Sequence, residues 1–334
     1  MISTKTTQRQ QYLQRALFHG AKLTLANAEY KHAVSALLEL LLEMDSSAHD
    51  ITVQALGIDG GTSDRAATAR IIAKEDGILA GLAEFTFLYE SRGVKVTAVK
   101  QDGDAIRVGE TLFTVTGTRP QLLSLERTGL NLLQRMSGIA TATHRLQDRA
   151  RQSAVESHSA FIIATRKTQW GLLDKRAVHL GGGGTHRLSL ADAILVKNDH
   201  LALLAGNESE AVQIAIARAW TFRAKTAAIP AFIEVEVRSV DSAMAAAKAF
   251  KRLQTEAPSD VPCLLLLDNQ APEETARIVI QLKQANLWDA VLIELSGGIT
   301  ETNFEAYARS GVDAISMGAL THSARALDIS QRLE

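Results

Sequence analysis

Phe161-Ile162-Ile163-Ala164-Thr165-Arg166-Lys167 sets the reading of the second half of the chain: a short apolar run with strand texture stops abruptly at two basic residues. The arrangement then recurs. Ala193-Ile194-Leu195-Val196 leads into Lys197, Phe232-Ile233-Glu234-Val235-Glu236 ends in an acid, and Leu264-Leu265-Leu266-Leu267 leads into Asp268. Leu292-Ile293-Glu294-Leu295 runs into Ser296-Gly297-Gly298, and Ala314-Ile315-Ser316-Met317 into Gly318. Helix-forming sequence, such as residues 211–226 and 242–253, separates most of these runs. The alternation predicts βαβ units around a parallel sheet. Polar residues at the C-terminal end of strand after strand favour a (β/α) barrel, where those ends converge on one mouth. A doubly wound sheet would gather them at a single switch point instead.

Upstream the texture differs. Residues 9–44 carry apolar side chains at helical spacing and read as packing helices. A polar, loop-like stretch covers 45–64. Residues 66–73 and 78–81 then look like strands flanking a turn at Glu75-Asp76-Gly77, and residues 94–99 alternate cleanly. Residues 102–115 look like the twisted hairpin of biotinyl and lipoyl carrier domains. No carrier lysine sits at its tip, so it reads as architecture. Residues 122–151 are helical again, and a domain boundary is expected inside them.

The chain has 334 residues, enough for one large domain or two. Hydrophobic residues make up 46% and charged residues 22%, the balance of a soluble globular protein with a sizeable core. Lys plus Arg number 36 against 37 for Asp plus Glu, which argues against a general nucleic-acid or membrane-surface binder. Aromatics at 5% are too few for a base-stacking platform. The single cysteine, Cys263, excludes an internal disulfide and sits in the apolar run Pro262–Leu267, which predicts a buried structural thiol. The N-terminal residues show no signal peptide, and no apolar run approaches the ~18–20 residues of a membrane span. A cytoplasmic protein is expected.

Chemistry concentrates between Arg166 and His200. Arg166, Lys167, Lys175, Arg176, Arg187 and Lys197 stand there against Asp174, Asp192 and Asp199, a local balance of 6 − 3 = +3. Lys175 and Arg176 read as a solvated helix face. Arg166, Lys167 and Lys197 terminate strands and should face the mouth, where fixed cations suit phosphates or carboxylates. The Gly181–Gly184 run lacks both the P-loop ending and the dinucleotide spacing, and by itself reads as a turn. Ser296-Gly297-Gly298 and Gly318 are the better phosphate signals, since backbone N–H groups in late barrel loops cradle phosphate. Glu236 and Asp268 could hold a metal or sugar hydroxyls, or simply neutralise nearby cations. No zinc spacing and no Gly-x-Ser-x-Gly elbow is present.

Taken in order, several strings resemble the quinolinate phosphoribosyltransferase family, also called nicotinate-nucleotide pyrophosphorylase (carboxylating). They are Glu126-Arg127-Thr128-Gly129, Thr165-Arg166-Lys167-Thr168, Gly181-Gly182-Gly183 with His186-Arg187-Leu188, and Leu195-Val196-Lys197-Asn198-Asp199-His200. Glu234-Val235-Glu236-Val237, Leu267-Asp268-Asn269, Glu294-Leu295-Ser296-Gly297-Gly298 and Met317-Gly318 through His322 complete the series. The resemblance implies a type II phosphoribosyltransferase-like α/β fold: an N-terminal α/β sandwich (residues 1–129), an incomplete (β/α) barrel (130–322), and a final helix (323–334) returning to the sandwich.

It also implies a homodimer with an active site shared between subunits, assembly beyond the dimer being left open. The reaction implied joins quinolinate to phosphoribosyl pyrophosphate with Mg²⁺, releasing pyrophosphate and CO₂ and leaving nicotinate mononucleotide. By the same resemblance Arg166, His186, Arg187 and Lys197 would bind quinolinate, with Arg127 reaching in from the partner subunit. Lys167 would face the pyrophosphate, and Glu236 and Asp268 would hold the ribose hydroxyls and, through water, Mg²⁺. Ser296, Gly297, Gly298 and Gly318 would bind the 5′-phosphate, with His322 nearby.

The sequence departs from the family at Gln169-Trp170-Gly171, where Thr-Pro-Gly is commoner, and the following stretch is about two residues short. Thr185 replaces the usual Asn, and Ser189 the usual Gly. These changes bear on the ring substrate, so nicotinate or the ligand of the molybdenum-transport-linked paralogue stand as alternatives to quinolinate. A barrel lyase with a Schiff base at Lys197 and a non-catalytic metabolite binder are the readings from other classes.

Overall fold

The computed structural model describes residues 7–45, 50–57, 66–154, 159–226 and 230–334. They form two compact units, each assembled from three separated stretches of chain. The first comprises residues up to His19, Leu146–Arg166 and Gly183–Ala319; the second comprises Gly20–Arg145, Lys167–Gly182 and Leu320–Glu334. No single cut at 129/130 reproduces this division.

The first unit is built on a six-stranded sheet in which every pairing is parallel. Its order is β6 (Phe161–Ile163), β11 (Ala314–Ser316), β10 (Leu292–Ser296), β9 (Cys263–Asp268), β8 (Ile233–Val237) and β7 (Ile194–Val196). β6 and β7 are the two edges of the sheet, and beyond β6 a single parallel bridge joins Ile163 to Gly184, which precedes β7 in the chain. This is the incomplete (β/α) barrel expected. Gly184 is small for a reason: a Cβ there would lie 2.5 Å from Ile163 and 3.0 Å from the Leu17 carbonyl oxygen.

The connecting helices are locally encoded. In α8 (Glu208–Lys225) the Asn207 side chain accepts from the Glu210 amide at 2.8 Å. Acids open that helix and Arg223 and Lys225 close it, as the helix dipole favours. In α9 (Val240–Glu256) Ser239 caps the first turn, and Ala243, Ala246, Ala247 and Phe250 form the buried stripe. α10 (Pro272–Gln284) starts with Pro at its first position.

Helix α1 (Gln8–Leu17) belongs to this unit, whereas the family resemblance placed the first ~50 residues in the other domain. Leu13, Ala16 and Leu17 form one apolar cluster with Ile163, Ala193, Phe232, Leu264, Leu292 and Ala314, most of which lie at or just before the starts of the strands. The helix therefore closes the N-terminal end of the barrel.

The second unit holds the antiparallel sheet β12 (Ile329–Leu333), β1 (Ala66–Ala73), β5 (Thr111–Thr118) and β3 (Lys95–Ala98). Phe85 and Tyr89 of α4 (Leu82–Glu90) stack at 3.9 Å, and Phe85 meets Phe113 of β5 edge-on at 4.8 Å. The long helix α5 (Arg119–Gln152) brings Gly129 against those rings, where a Cβ would stand 2.7 Å from both. Helices α2 (Ala28–Asp45) and α6 (Leu172–Leu180) complete the described packing.

Four expectations are corrected. Residues 323–334 do not form a returning helix: 329–333 are strand β12, in register with β1 from Ala69↔Leu333 to Ala73↔Ile329. The backbone groups along that edge of β1 select a strand whatever the local helical tendency. Residues 102–115 are not one hairpin, since β4 (Ala105–Ile106) pairs with β2 (Gly77–Ile78) while β5 pairs with β1 and β3. Lys175 and Arg176 are not a solvated face. Lys175 is buried, and Arg176 lies 4.0 Å from Glu84 and 3.9 Å from Asp102. Finally, α3 (Ile51–Ala55) interrupts the stretch read as loop; 46–49 and 58–64 lie outside the described residues. Among the described residues no helix is long and apolar enough to cross a membrane.

Candidate active site

The period of two along β8 puts Glu234 and Glu236 on the same face, and along β10 it does the same for Glu294 and Ser296. Ser296 is level with Asp268 across the β9–β10 ladder. The polar side chains thus fall into two tiers. Asp268 and Ser296 end their strands and Glu236 stands one residue before the end of β8, while Glu234 and Glu294 sit one step deeper, both fully or almost fully buried.

In the upper tier, burial and then the neighbouring Asp268 carboxylate raise the Glu236 pKa above the ordinary carboxylate value, while Lys197 works the other way. Asn198 Nδ2 donates to Glu236 Oε1. Two close carboxylates with excess negative charge are an oxygen donor set that a hard divalent cation would relieve. Lys197 is exposed and N-caps the short helix α7 (Asn198–Ala202).

Arg166 follows β6 and is exposed; Arg187 is buried. Burial, and after it the neighbouring Arg166 guanidinium, lower the Arg187 pKa, with Glu234, Asp192 and Glu294 opposing. Asp192 is committed to its own loop, accepting from the Leu188 and Ser189 amides at 2.5 and 2.9 Å. Two guanidiniums held close enough to repel each other form a seat for an anion.

The lower tier centres on His186, which has φ of 51° and is 7% exposed. Its Nε2–H donates to Glu234 Oε2 at 3.1 Å, and Glu294 Oε2 lies 3.2 Å away. Nδ1 accepts from the Arg187 amide at 2.8 Å. Two influences oppose each other on this ring. Burial would lower its pKa, and the Glu294 and Glu234 carboxylates reverse that and favour the imidazolium, toward about 9. The Arg187 N–H aimed at Nδ1 works against that second ring proton, because it takes the lone pair the proton would need. The ligand atoms of His186, Glu234 and Glu294 all lie within 4.8 Å of one another, a second donor set in which a metal could be held.

In the expected phosphate turn Gly297 and Gly298 take φ of 98° and 62°, a backbone conformation that favours glycine. A Cβ on Gly297 would lie 2.3 Å from Asn269 Oδ1, and the Asn269 amide donates to the Ser296 carbonyl at 2.9 Å. Gly318 links β11 to α12 (Ala319–His322).

Arg166, His186, Arg187, Lys197, Glu236, Asp268, Ser296, Gly297, Gly298 and Gly318 thus fall in one unit. Lys167, His322 and Arg127 belong to the other. There Thr321 Oγ1 donates to the Lys167 carbonyl at 2.8 Å, Gln169 Nε2 to the His322 carbonyl at 3.3 Å, and Arg127 is exposed on α5. The unusual Gln169-Trp170 pair is tied to the first turn of α6: both amides donate to Asp174 Oδ2, which also accepts from Arg135 at 2.8 Å. Glu234, Glu294, Asn198 and Asn269 were given no role from sequence. The period-two spacing of Glu234 from Glu236 and of Glu294 from Ser296 was the available signal for the first two.

Comparison with known proteins agrees with this architecture. Residues 50–137 match the quinolinate phosphoribosyl transferase N-terminal domain and residues 139–332 its C-terminal domain. A probable nicotinate-nucleotide pyrophosphorylase [carboxylating] of Methanothermobacter thermautotrophicus is 38% identical over 88% of this chain and 98% of its own length. The Mycobacterium leprae nicotinate-nucleotide pyrophosphorylase [carboxylating] is 35% identical over 91% and 98%. Among solved structures, the nicotinate-nucleotide pyrophosphorylase of Francisella tularensis superposes with a TM-score of 0.74 at 28% identity, covering 91% of this chain and 96% of that one. NadC from Streptococcus pyogenes gives 0.74 at 31% identity, over 90% and 96%. The chain belongs to the quinolinate phosphoribosyl transferase family.

Proposed function

We propose that the chain transfers the phosphoribosyl group of phosphoribosyl pyrophosphate to the ring nitrogen of quinolinate, with decarboxylation, in NAD biosynthesis. The carrying observation is the Arg166–Arg187 pair, two guanidiniums that repel each other in the same unit as the exposed Lys197. Adjacent ring carboxylates are the ligand that relieves such a cluster.

The ring nitrogen already carries its lone pair, so no general base is needed. As the N–C1′ bond forms, the C1′–O bond to pyrophosphate breaks and pyrophosphate leaves with the electron pair. Catalysis is then positioning plus electrostatic stabilisation of an oxocarbenium-like sugar and its leaving group. Glu236 and Asp268 face the sugar, and the Gly297-Gly298 turn and Gly318 take the 5′-phosphate through backbone N–H groups. The ribosylated, cationic nitrogen accepts the electrons left when the adjacent carboxylate departs as CO₂, and a proton from water replaces it. Mg²⁺ fits the Glu236 and Asp268 oxygens, directly or through water, and when bound would neutralise pyrophosphate charge.

Lys167 as the pyrophosphate contact, His322 near the 5′-phosphate and Arg127 supplied by a partner subunit in a homodimer complete the proposal. A Schiff-base role for Lys197 fits poorly, because that lysine is exposed and beside a carboxylate rather than in an apolar pocket. The test is to incubate the purified protein with Mg²⁺, phosphoribosyl pyrophosphate and either quinolinate or nicotinate, following mononucleotide and CO₂. Mononucleotide with CO₂ from quinolinate alone is expected. Product from nicotinate alone, or none from quinolinate, would overturn the assignment.

A further inference from the structure

His186 is expected, from the family resemblance, to touch the ring substrate, yet its imidazole has no polar atom to spare. Nδ1 is taken by the Arg187 amide at 2.8 Å, and Nε2 faces Glu234 at 3.1 Å and Glu294 at 3.2 Å. A substrate carboxylate approaching Nε2 would have to displace one of these two buried carboxyl groups, which already occupy the space in front of it. The ring is 7% exposed and packs edge-on against Phe232 at 5.0 Å. Its backbone is held in a left-handed conformation that non-glycine residues rarely adopt. Its own amide donates to the Leu17 carbonyl at 3.0 Å. Everything about the residue is anchored inward.

We infer that His186 is a positioning residue that acts on substrate through Arg187, and that Glu234 and Glu294 are the buried anchors that hold it. Glu234 stands on β8 and Glu294 on β10, so the imidazole ties two strands to the loop that carries Arg187. The ring orients the Arg187 main chain through Nδ1. The two carboxylates beneath it keep the Nε2–H tautomer, which leaves Nδ1 as an acceptor. The inference rests on quinolinate being the ligand of the Arg166–Arg187 seat.

A double-mutant cycle on quinolinate binding, read by calorimetry, separates the two roles. His186→Asn is the first variant, because Asn tolerates the left-handed conformation; Arg187→Gln is the second background. Acting through Arg187, His186→Asn weakens binding about tenfold in the wild-type protein and less than about twofold in Arg187→Gln. Glu294→Gln, which preserves shape, follows the same pattern. Equal losses in both backgrounds would show an independent contact and overturn the inference.

The second readout needs no ligand. In ¹⁵N-histidine-labelled protein, with His186 assigned by its loss in His186→Asn, Nδ1 is expected to be unprotonated and Nε2 protonated, and addition of quinolinate leaves that pattern in place. A protonated Nδ1, or transfer of the ring proton on adding quinolinate, would sink the positioning role. Absence of quinolinate binding by the wild-type protein would refute the substrate assignment instead, and the tautomer measured without ligand would still decide the role of His186.

Discussion

The carbonyl oxygen of Leu17 accepts hydrogen bonds from the amides of both Thr185 and His186, at 2.7 and 3.0 Å. The last residue of α1 is therefore fastened to the loop that carries His186 and Arg187. Thr185 reinforces the joint, its Oγ1 donating to the same carbonyl at 3.2 Å and accepting from the His19 amide at 2.9 Å. The helix that closes one end of the barrel and the loop that presents a cation are one mechanical piece. This gives Thr185, one of the departures from the commoner family pattern, a structural role.

Replacing Thr185 by Val keeps its shape and removes both side-chain bonds. With the His19 amide and the Leu17 carbonyl each losing a partner, a loss of about 1–3 kcal/mol is expected. Urea unfolding measures the loss, and quinolinate KM should rise alongside it. An unchanged midpoint would deny the joint any energetic weight.

Arg9 donates through Nε to Asp313 Oδ1 at 2.6 Å and through Nη1 to the Trp288 carbonyl at 2.6 Å, and Asp313 is fully buried. Arg9→Ala strands that carboxylate and should cost about 3–5 kcal/mol. Adding Asp313→Asn should return part of it, because the Ile293 amide then keeps an uncharged acceptor. A double variant less stable than Arg9→Ala alone would contradict this account.

Gly297→Ala would combine a disfavoured φ of 98° with a Cβ 2.3 Å from Asn269 Oδ1. KM for phosphoribosyl pyrophosphate should rise, that for quinolinate much less. Adding Asn269→Ala removes the side-chain part of the clash, leaving the residue 269 backbone nitrogen at 2.9 Å, and should recover part of the loss. Steady-state kinetics with each substrate varied in turn decides it; an equal rise in both KM values would argue against a dedicated phosphate turn.

Glu84 accepts from the Tyr30 hydroxyl at 2.7 Å, and burial, then Asp102, raise its pKa above the ordinary 4.5. The folded protein therefore holds this proton more tightly than the unfolded chain. Its contribution to stability is full below the unfolded pKa and lost as pH rises through the folded one. Glu84→Gln can still accept from Tyr30 and should gain in Tm relative to wild type from pH 4 to pH 8. A difference that is flat or falls with pH would count against the raised value.

Cys263 is 3% exposed, and burial drives its thiol up to about 12. Iodoacetamide at pH 8 should leave the native protein unlabelled and modify it once on denaturation, as read by intact mass. Rapid native labelling would mean that the barrel opens at β9.

The barrel was legible because each strand is short, apolar and stopped by a polar residue, a local pattern that needs no knowledge of partners. Arg166, Lys167, Lys197, Glu236, Asp268 and the Ser296-Gly297-Gly298 turn could be named on that basis, and Arg187 only through the family resemblance. What was hidden depends on distant chain. The strand state of residues 329–333 is decided by the edge of β1, and α1 joins the barrel because its Leu13, Ala16 and Leu17 meet the strand starts. Lys175 and Arg176 looked solvated because the acids Glu84 and Asp102 beside Arg176 lie far away in sequence. Glu234 and Glu294 carried the right period, but an alternating acid reads equally well as the wet side of a strand.

The β1–β12 pairing also has a consequence for synthesis. Ala69 through Ala73 cannot find their partners until Leu333 through Ile329 have been made, so a nascent chain carries a bare edge through most of its translation. An unpaired edge is a template for strands of other molecules. Loss of residues 329–333 should therefore be felt first as poor yield and aggregation in the cell, and only secondarily in the kinetics of whatever folds.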